Sequence, residues 1–216
     1  MTDQGFEAMR AAMVASQLRT TGVNDPRVIA AMGAVPRERF VPNERRASAY
    51  ADLVVPLGGG RGLNPPMTLG RLLTEARLKG DERALVIGAA TGYGAAVLGR
   101  LVASVVALEE DARLAAAARE ALAGTGVEVV KGALAKGHAA GAPYDFVLID
   151  GAVERVPEAI IDQVADGGKI ALALLDQGVT RLSVGHVVAG AFGTRAYSDA
   201  AAAALPGFEK PRAFSF

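Results

Sequence analysis

The sequence predicts an α/β fold with a doubly wound, mostly parallel sheet that follows a helical N-terminal segment. From Glu82 onward, short apolar runs typical of buried strands alternate with alanine-rich stretches of helical periodicity. Such alternation is typical of parallel strands joined by right-handed helical crossovers. Before that point, apolar residues such as Met9, Met13 and Leu18 recur at roughly helical spacing, which predicts helices up to about residue 50.

The same patterns place the individual elements in chain order. Predicted helices cover residues 67–77, 94–100, 112–123 and 157–165, and predicted strands cover residues 84–87, 102–108, 127–130, 144–149 and 169–175. The stretch 57–66 contains four glycines and two prolines, so it is predicted to be irregular. Residues 208–216 are a candidate final strand pair.

Length and composition fit one globular domain. With 216 residues, 51% of them hydrophobic, the chain can bury a sizeable core. We expect residues 1–80 to form the helical segment and an acceptor loop, and residues 81–216 to form the cofactor-binding core. Basic and acidic residues number 23 each, so no basic surface for nucleic acid is expected. The lack of cysteine and of a long uncharged apolar run favours a cytoplasmic protein without a membrane span; the oligomeric state stays open.

A candidate cofactor loop runs from Gly88 to Gly92, between a predicted strand and a predicted helix. Glycine lets the backbone approach a ligand without a Cβ in the way, and the start of the next helix presents unpaired N–H groups. Glu109 ends the next strand, where a carboxylate can accept hydrogen bonds from both hydroxyls of a ribose. The alternative for Glu109 is a charge that stabilises the start of the following helix.

Three kinds of ligand are considered for this loop: a dinucleotide, a nucleotide held by a P-loop, and S-adenosylmethionine. A dinucleotide fingerprint needs a glycine where Ala90 stands, and a P-loop needs a G-K-S/T sequence that does not follow the turn. S-adenosylmethionine carries no phosphate and needs only a close backbone turn and an acid for its ribose, so the sequence favours it. No metal is predicted, because His138 and His186 are isolated in the sequence.

Seven further segments agree in order and spacing with one known family. They read MVASQLR at 13–19, DPRV at 25–28, VPRERFVP at 35–42, AYAD at 49–52, GAATGY at 88–93, PYD at 143–145 and QVADGG at 163–168. From about residue 9 to about residue 176 the chain resembles the protein-L-isoaspartate O-methyltransferases, whose cofactor loop reads G-T-G-S-G-Y. The resemblance implies a Rossmann-like, S-adenosylmethionine-dependent methyltransferase fold. It also implies carboxyl O-methylation of isoaspartyl residues in damaged proteins, which initiates repair through a succinimide.

The resemblance, together with the positions of the predicted strand ends and of the glycine-rich loop, gives the candidate site residues. The cofactor would contact Gly88, Ala89, Ala90, Thr91, Gly92, Glu109, Ala133, Leu134 and Asp150. The acceptor protein or peptide would contact Arg61, Leu63, Asn64 and Pro66, with Asn64 as the catalytic residue. Three of these assignments have a structural alternative: Asn64 orders the following proline turn, Arg61 is a solvated loop charge, and Asp150 bonds to a neighbouring loop.

Outside the cofactor loop, four positions depart from the family's pattern. Asn64 stands where the family has a serine in its substrate loop, and Asp150 replaces a small or hydroxyl residue. Val86 and Ala133 replace two acids on the cofactor side. Two alternatives therefore accompany the predicted activity: a methyltransferase for another substrate, and a degenerate member that serves as a non-catalytic binding protein.

Overall fold

The computed structural model describes residues 2–210 and contains a seven-stranded sheet covered by helices. The helices are α1 (Asp3–Ala12), α2 (Pro26–Ala34), α3 (Pro66–Ala76), α4 (Tyr93–Leu98), α5 (Ala112–Ala121) and α6 (Glu158–Ile161). The strands are β1 (Val55–Gly58), β2 (Arg61–Leu63), β3 (Arg83–Ile87), β4 (Ser104–Glu109), β5 (Glu128–Lys131), β6 (Tyr144–Val153), β7 (Val164–Asp176), β8 (Val179–Val188) and β9 (Ala191–Asp199). The predicted fold class is confirmed.

The order of the main sheet is β5-β4-β3-β6-β7-β8-β9. Strands β3 to β7 pair in parallel, while β8 and β9 add an antiparallel edge. The chain moves outward from β3 through β4 to β5 and then returns to the other side of β3 as β6. The point between β3 and β6 is therefore the topological switch, where ligands of such sheets bind at the carboxyl ends of the strands.

The N-terminal segment is helical, as predicted. Helix α1 continues into a π-helical stretch, Met13–Leu18, and a 3-10 turn. Helix α2 begins after Asp25, whose side chain accepts a hydrogen bond from the Arg27 N–H, and Pro26 lies in the first turn, where its missing N–H costs nothing. Both helices bury apolar side chains against the same core as the sheet. The division into residues 1–80 and 81–216 stays a prediction.

Two predictions about local structure are wrong. The glycine-rich stretch forms a short antiparallel hairpin of β1 and β2, because Gly58, Gly59 and Gly60 all have positive φ angles and can make its tight turn. The helix predicted at 157–165 is shorter and consists only of α6. The Gln163 side chain donates to Ala159 O, the carbonyl that the Gln163 N–H would bond to in a continued helix, and that N–H bonds to Ile160 O instead; β7 begins at the next residue.

The end of the chain also differs from expectation. The antiparallel strands β8 and β9 were not predicted, and residues 208–210 of the proposed final strand pair have no strand structure. The rest of that proposed pair, residues 211–216, lies outside the described residues. Among residues 2–210, no helix combines the length and apolar character needed to cross a bilayer.

Candidate active site

The glycine turn follows β3 at the switch point. Gly88 and Gly92 have φ angles of +79° and +100°, and Ala90 between them has a φ of +53°. The N–H groups of Gly88 and Ala89 both donate to Leu108 O at 3.0 Å, which ties the turn to the end of β4. Gly92 is the N-cap of α4, so the turn leads directly into a helix start. The local geometry is that of a backbone cradle at the carboxyl edge of the sheet.

Glu109 lies at the end of β4 and is fully buried. Its carboxylate accepts three backbone hydrogen bonds, from Ala90 N at 2.7 Å and from Glu110 N and Asp111 N at 3.0 Å each. These bonds join the glycine turn to the loop before α5. The carboxylate therefore has a fixed position in the cleft, set by backbone groups of two neighbouring strand ends.

Arg61, on the β1–β2 hairpin, forms a bidentate ion pair with Glu109. Its Nη1 donates to Glu109 Oε1 and its Nη2 donates to Oε2 at 3.0 Å. The side chain of Arg61 is 5% exposed, so the ion pair is buried from solvent. Arg61 Nε has no hydrogen-bond partner among the described residues. An ion pair of this geometry is strong, but it uses the acceptor capacity of the acid predicted to bind ribose.

Asn64 bridges the acceptor loop to two other parts of the cleft. Its Nδ2 donates to Asp150 Oδ1 at 2.7 Å, and its Oδ1 accepts from Ala203 N at 2.8 Å, which fixes the orientation of the amide. Asp150 lies within β6 and approaches Gly94 closely, so that a Cβ at Gly94 would collide with the carboxylate. Burial raises the pKa of Asp150, and the hydrogen bond from Asn64 lowers it in part.

A second buried arginine, Arg37, holds the backbone of Asn64. Arg37 is completely buried; its Nε donates to Ala49 O at 2.6 Å and its Nη2 to Asn64 O at 2.7 Å. Its guanidinium lies 4.6 Å from the centre of the Tyr93 ring. Burial lowers the pKa of Arg37 and raises that of Tyr93. Sequence reasoning missed the role of Arg37, although it stands in one of the segments that carry the resemblance.

The segment 200–208 closes the cleft. Ala152 N donates to Ala203 O at 2.7 Å and Leu205 N donates to Ala152 O at 2.9 Å, so the segment runs beside the end of β6. The side chain of Leu205 lies between the two strand ends: a Cβ on Gly88 would be 2.8 Å from Leu205 Cδ2, and one on Gly151 would be 2.5 Å from Leu205 Cγ. Leu205 thus fills the crevice at the switch point.

Comparison with known proteins identifies the family. The family model "Protein-L-isoaspartate(D-aspartate) O-methyltransferase (PCMT)" matches residues 9–184. Protein-L-isoaspartate O-methyltransferase 1 of Rhodopseudomonas palustris is 39% identical over 181 residues, which are 82% of this chain and 74% of that protein. The protein of the same name from Koribacter versatilis is 39% identical over 171 residues, covering 78% of this chain and 77% of the relative. The chain belongs to the protein-L-isoaspartate O-methyltransferase family.

Solved structures agree on the fold. A protein-L-isoaspartate O-methyltransferase superposes with a TM-score of 0.79 at 21% identity, covering 94% of this chain and 66% of that one. A Plasmodium falciparum protein assigned to the same enzymes, solved with S-adenosyl-L-homocysteine, superposes with a TM-score of 0.76 at 16% identity, covering 91% and 97%. The predicted family and Rossmann-like fold are confirmed. At the level of the family, the methyltransferase class and the cofactor S-adenosylmethionine are also confirmed.

The structure brings most of the predicted site residues of this family member together. Gly88, Ala90, Glu109 and Arg61 converge at one end of the cleft, and Asn64 meets Asp150 at the other. The other predicted residues take no part in these hydrogen bonds. Four of them are buried: Ala89, Gly92, Leu63 and Leu134. Pro66 begins α3, and Ala133 is exposed. Thr91 Oγ1 donates to Phe40 O at 2.5 Å.

Leu205, Gly151 and Ala203 were missed as cleft residues. The only sequence signal was the pair Asp150-Gly151 at a strand end, because nothing local to residues 200–208 indicates that they return to the switch point. Within the cofactor loop, Ala90 is a further departure from the family's pattern. It holds a left-handed backbone conformation where the family's loop has glycine, so the turn keeps its shape at a cost of about 1–2 kcal/mol.

Proposed function

We propose that the chain is an S-adenosylmethionine-dependent carboxyl O-methyltransferase that acts on isoaspartyl residues of proteins. The observation that carries this proposal is the position of Glu109, a buried carboxylate hydrogen-bonded to the glycine turn at the switch point of the sheet. Protein or peptide carboxylates are the proposed acceptors. A cytoplasmic location and the lack of a nucleic-acid partner remain predictions from composition.

The residues around the glycine turn have the chemical groups that S-adenosylmethionine needs. Glu109 is an acceptor for the ribose hydroxyls, and Gly88 offers a surface without a Cβ for the methionine part. When bound, S-adenosylmethionine supplies a methyl group on a positively charged sulfur. The space for it is filled by Arg61 and Leu205, so binding requires both side chains to move.

On the acceptor side, Asn64 is the proposed positioning group. One hydrogen of its Nδ2 is bonded to Asp150, which leaves the second hydrogen to donate to an acceptor carboxylate. No general base is needed, because a carboxylate with an ordinary pKa of about 4 is already ionised near pH 7. Rate acceleration then comes mainly from holding the two reacting atoms in line.

Two assays test this proposal. Calorimetry with S-adenosyl-L-homocysteine measures cofactor binding, and Glu109→Gln is expected to weaken that binding. Methyl transfer is measured with an isoaspartyl peptide, and the matched control is the same peptide with ordinary aspartate. Methylation of the isoaspartyl peptide alone is expected. Cofactor binding without methylation of either peptide would instead favour a methyltransferase for another substrate.

The second candidate is a non-catalytic binding protein that keeps the fold of the family. The Arg61–Glu109 pair and the insertion of Leu205 favour it, since both replace contacts that a cofactor would make. Val86 and Ala133, where the family has acids, remove further polar contacts. If millimolar S-adenosyl-L-homocysteine gives no heat and no shift of the melting temperature in the wild-type protein or in variants of Arg61 and Leu205, this candidate replaces the enzyme.

A further inference from the structure

The hydrogen bonds of Glu109 limit how a ribose can reach it. Its two oxygens accept both terminal nitrogens of Arg61 and three backbone N–H groups. The backbone donors are fixed, because they belong to the glycine turn and to the start of α5. A carboxylate offers about four acceptor sites, so ribose hydroxyls must replace Arg61 rather than join it.

When ribose hydroxyls displace Arg61 from Glu109, the guanidinium of Arg61 loses its anionic partner. Its side chain is 5% exposed and its Nε already lacks a partner among the described residues. A buried guanidinium without an anion is strongly destabilising. Cofactor binding to the closed cleft is therefore weak unless another anion takes the place of Glu109.

The acidic neighbours of Arg61 are poor replacements. Asp150 is buried, already accepts from Asn64, and has a pKa raised by burial. Asp111 caps α5, accepting from Arg113 N at 2.8 Å and from Leu114 N at 3.1 Å. Asp150 accepts a hydrogen bond from Asn64, and the positive charge of Arg61 is one of those that oppose the burial-raised pKa of Asp150, so an anion held beside Asn64 lies close enough to attract Arg61.

We propose that Arg61 exchanges Glu109 for the carboxylate of the acceptor when the cofactor's ribose binds Glu109. This inference rests on the proposed function and assigns Arg61 as the residue that binds the acceptor carboxylate. The consequence is that the two ligands bind cooperatively. The cofactor releases the Arg61 guanidinium from Glu109, and the acceptor carboxylate then stabilises that guanidinium. By linkage, each ligand raises the affinity of the other by the same factor, and couplings of this kind are typically about 5–150-fold.

The experiment measures the affinity of S-adenosyl-L-homocysteine by calorimetry with and without a saturating isoaspartyl peptide. The control ligand is the same peptide with its isoaspartyl carboxylate converted to a carboxamide. We expect about tenfold tighter binding with the carboxylate peptide and no change with the carboxamide. Equal affinity under all three conditions overturns the inference while leaving the cofactor proposal intact.

Arg61→Gln isolates the residue. It is expected to bind S-adenosyl-L-homocysteine more tightly than wild type in the absence of peptide, because no ion pair must break, and to show no coupling to the peptide. Arg100→Gln, an exposed arginine after α4, is the matched control and should behave as wild type. Coupling that persists in Arg61→Gln overturns the inference. Absence of S-adenosyl-L-homocysteine binding in both wild type and Arg61→Gln overturns the proposed function and this inference together.

Discussion

Leu205 packs directly against Gly88, at the one point of the sheet where the chain reverses its winding. The contact leaves no room for a Cβ on Gly88, which would lie 2.8 Å and 2.9 Å from the two methyl carbons of Leu205. A side chain from the end of the chain thus occupies the crevice in which ligands of doubly wound sheets bind. The cleft in this state is closed by the protein's own residues.

Leu205→Ala is expected to open the cleft. The affinity for S-adenosyl-L-homocysteine, measured by calorimetry, should rise on the order of tenfold, because the cofactor no longer has to displace a packed side chain. The free energy of unfolding should fall by about 2–5 kcal/mol, since Leu205 belongs to a buried cluster. Val187→Ala, from the same cluster but on β8, is the control: it should lower stability and leave affinity unchanged.

Ala90 provides a test of strain in the glycine turn. Ala89 and Ala90 are both buried, but only Ala90 has a positive φ. Mutation of either residue to glycine loses one buried methyl and adds the same freedom to the unfolded chain. We therefore expect Ala89→Gly to be more destabilising than Ala90→Gly by about 1–2 kcal/mol in urea denaturation. Equal losses would show that the turn holds no strain at Ala90.

The sequence predicted the parts of this site that local patterns encode. Gly88, Glu109 and Asp150 each follow from a strand end, and parallel strands bring such ends to one edge. The contacts between distant segments could not be predicted: Arg61 and Glu109 are 48 positions apart, and Asn64 and Ala203 are 139 apart. The strands β8 and β9 were missed because apolar residues do not alternate regularly with polar ones in their sequences. In β8 the alternation of buried residues also shifts by one position at Leu182 and Ser183, which are both buried.

Asp150 is expected to make stability depend on pH. Because burial raises its folded-state pKa above the ordinary 3.8, its contribution is fully present below that value and is lost as the pH rises through the folded-state pKa. The stability of Asp150→Asn relative to wild type should therefore rise as the pH increases from below 4 toward neutrality. Urea denaturation across this pH range measures the difference.

Asp111 is the matched control for that experiment. Backbone hydrogen bonds from Leu114 and Arg113 hold its pKa below the ordinary value, so its contribution is present above 3.8 and is lost as the pH falls through the folded-state pKa. The stability of Asp111→Asn relative to wild type should fall as the pH rises, which is the opposite slope. A flat difference for Asp150→Asn would mean that Asp150 keeps its ordinary pKa in the folded protein.

Asn64→Ser tests whether the family's hydroxyl restores acceptor recognition. Serine is too short to reach both Asp150 and Ala203 as Asn64 does, so the substitution also loosens the segment 200–208. Asn64→Ala breaks the same two bonds without supplying a hydroxyl, which makes it the matched control.

One added hydrogen bond to the acceptor, at about 1 kcal/mol or more, corresponds to roughly a five- to tenfold rate difference. We expect isoaspartyl methylation by Asn64→Ser to exceed wild type and to exceed Asn64→Ala by that factor. If both variants gain equally, release of the segment, and not the hydroxyl, limits the reaction; if neither variant differs from wild type, Asn64 does not determine acceptor choice.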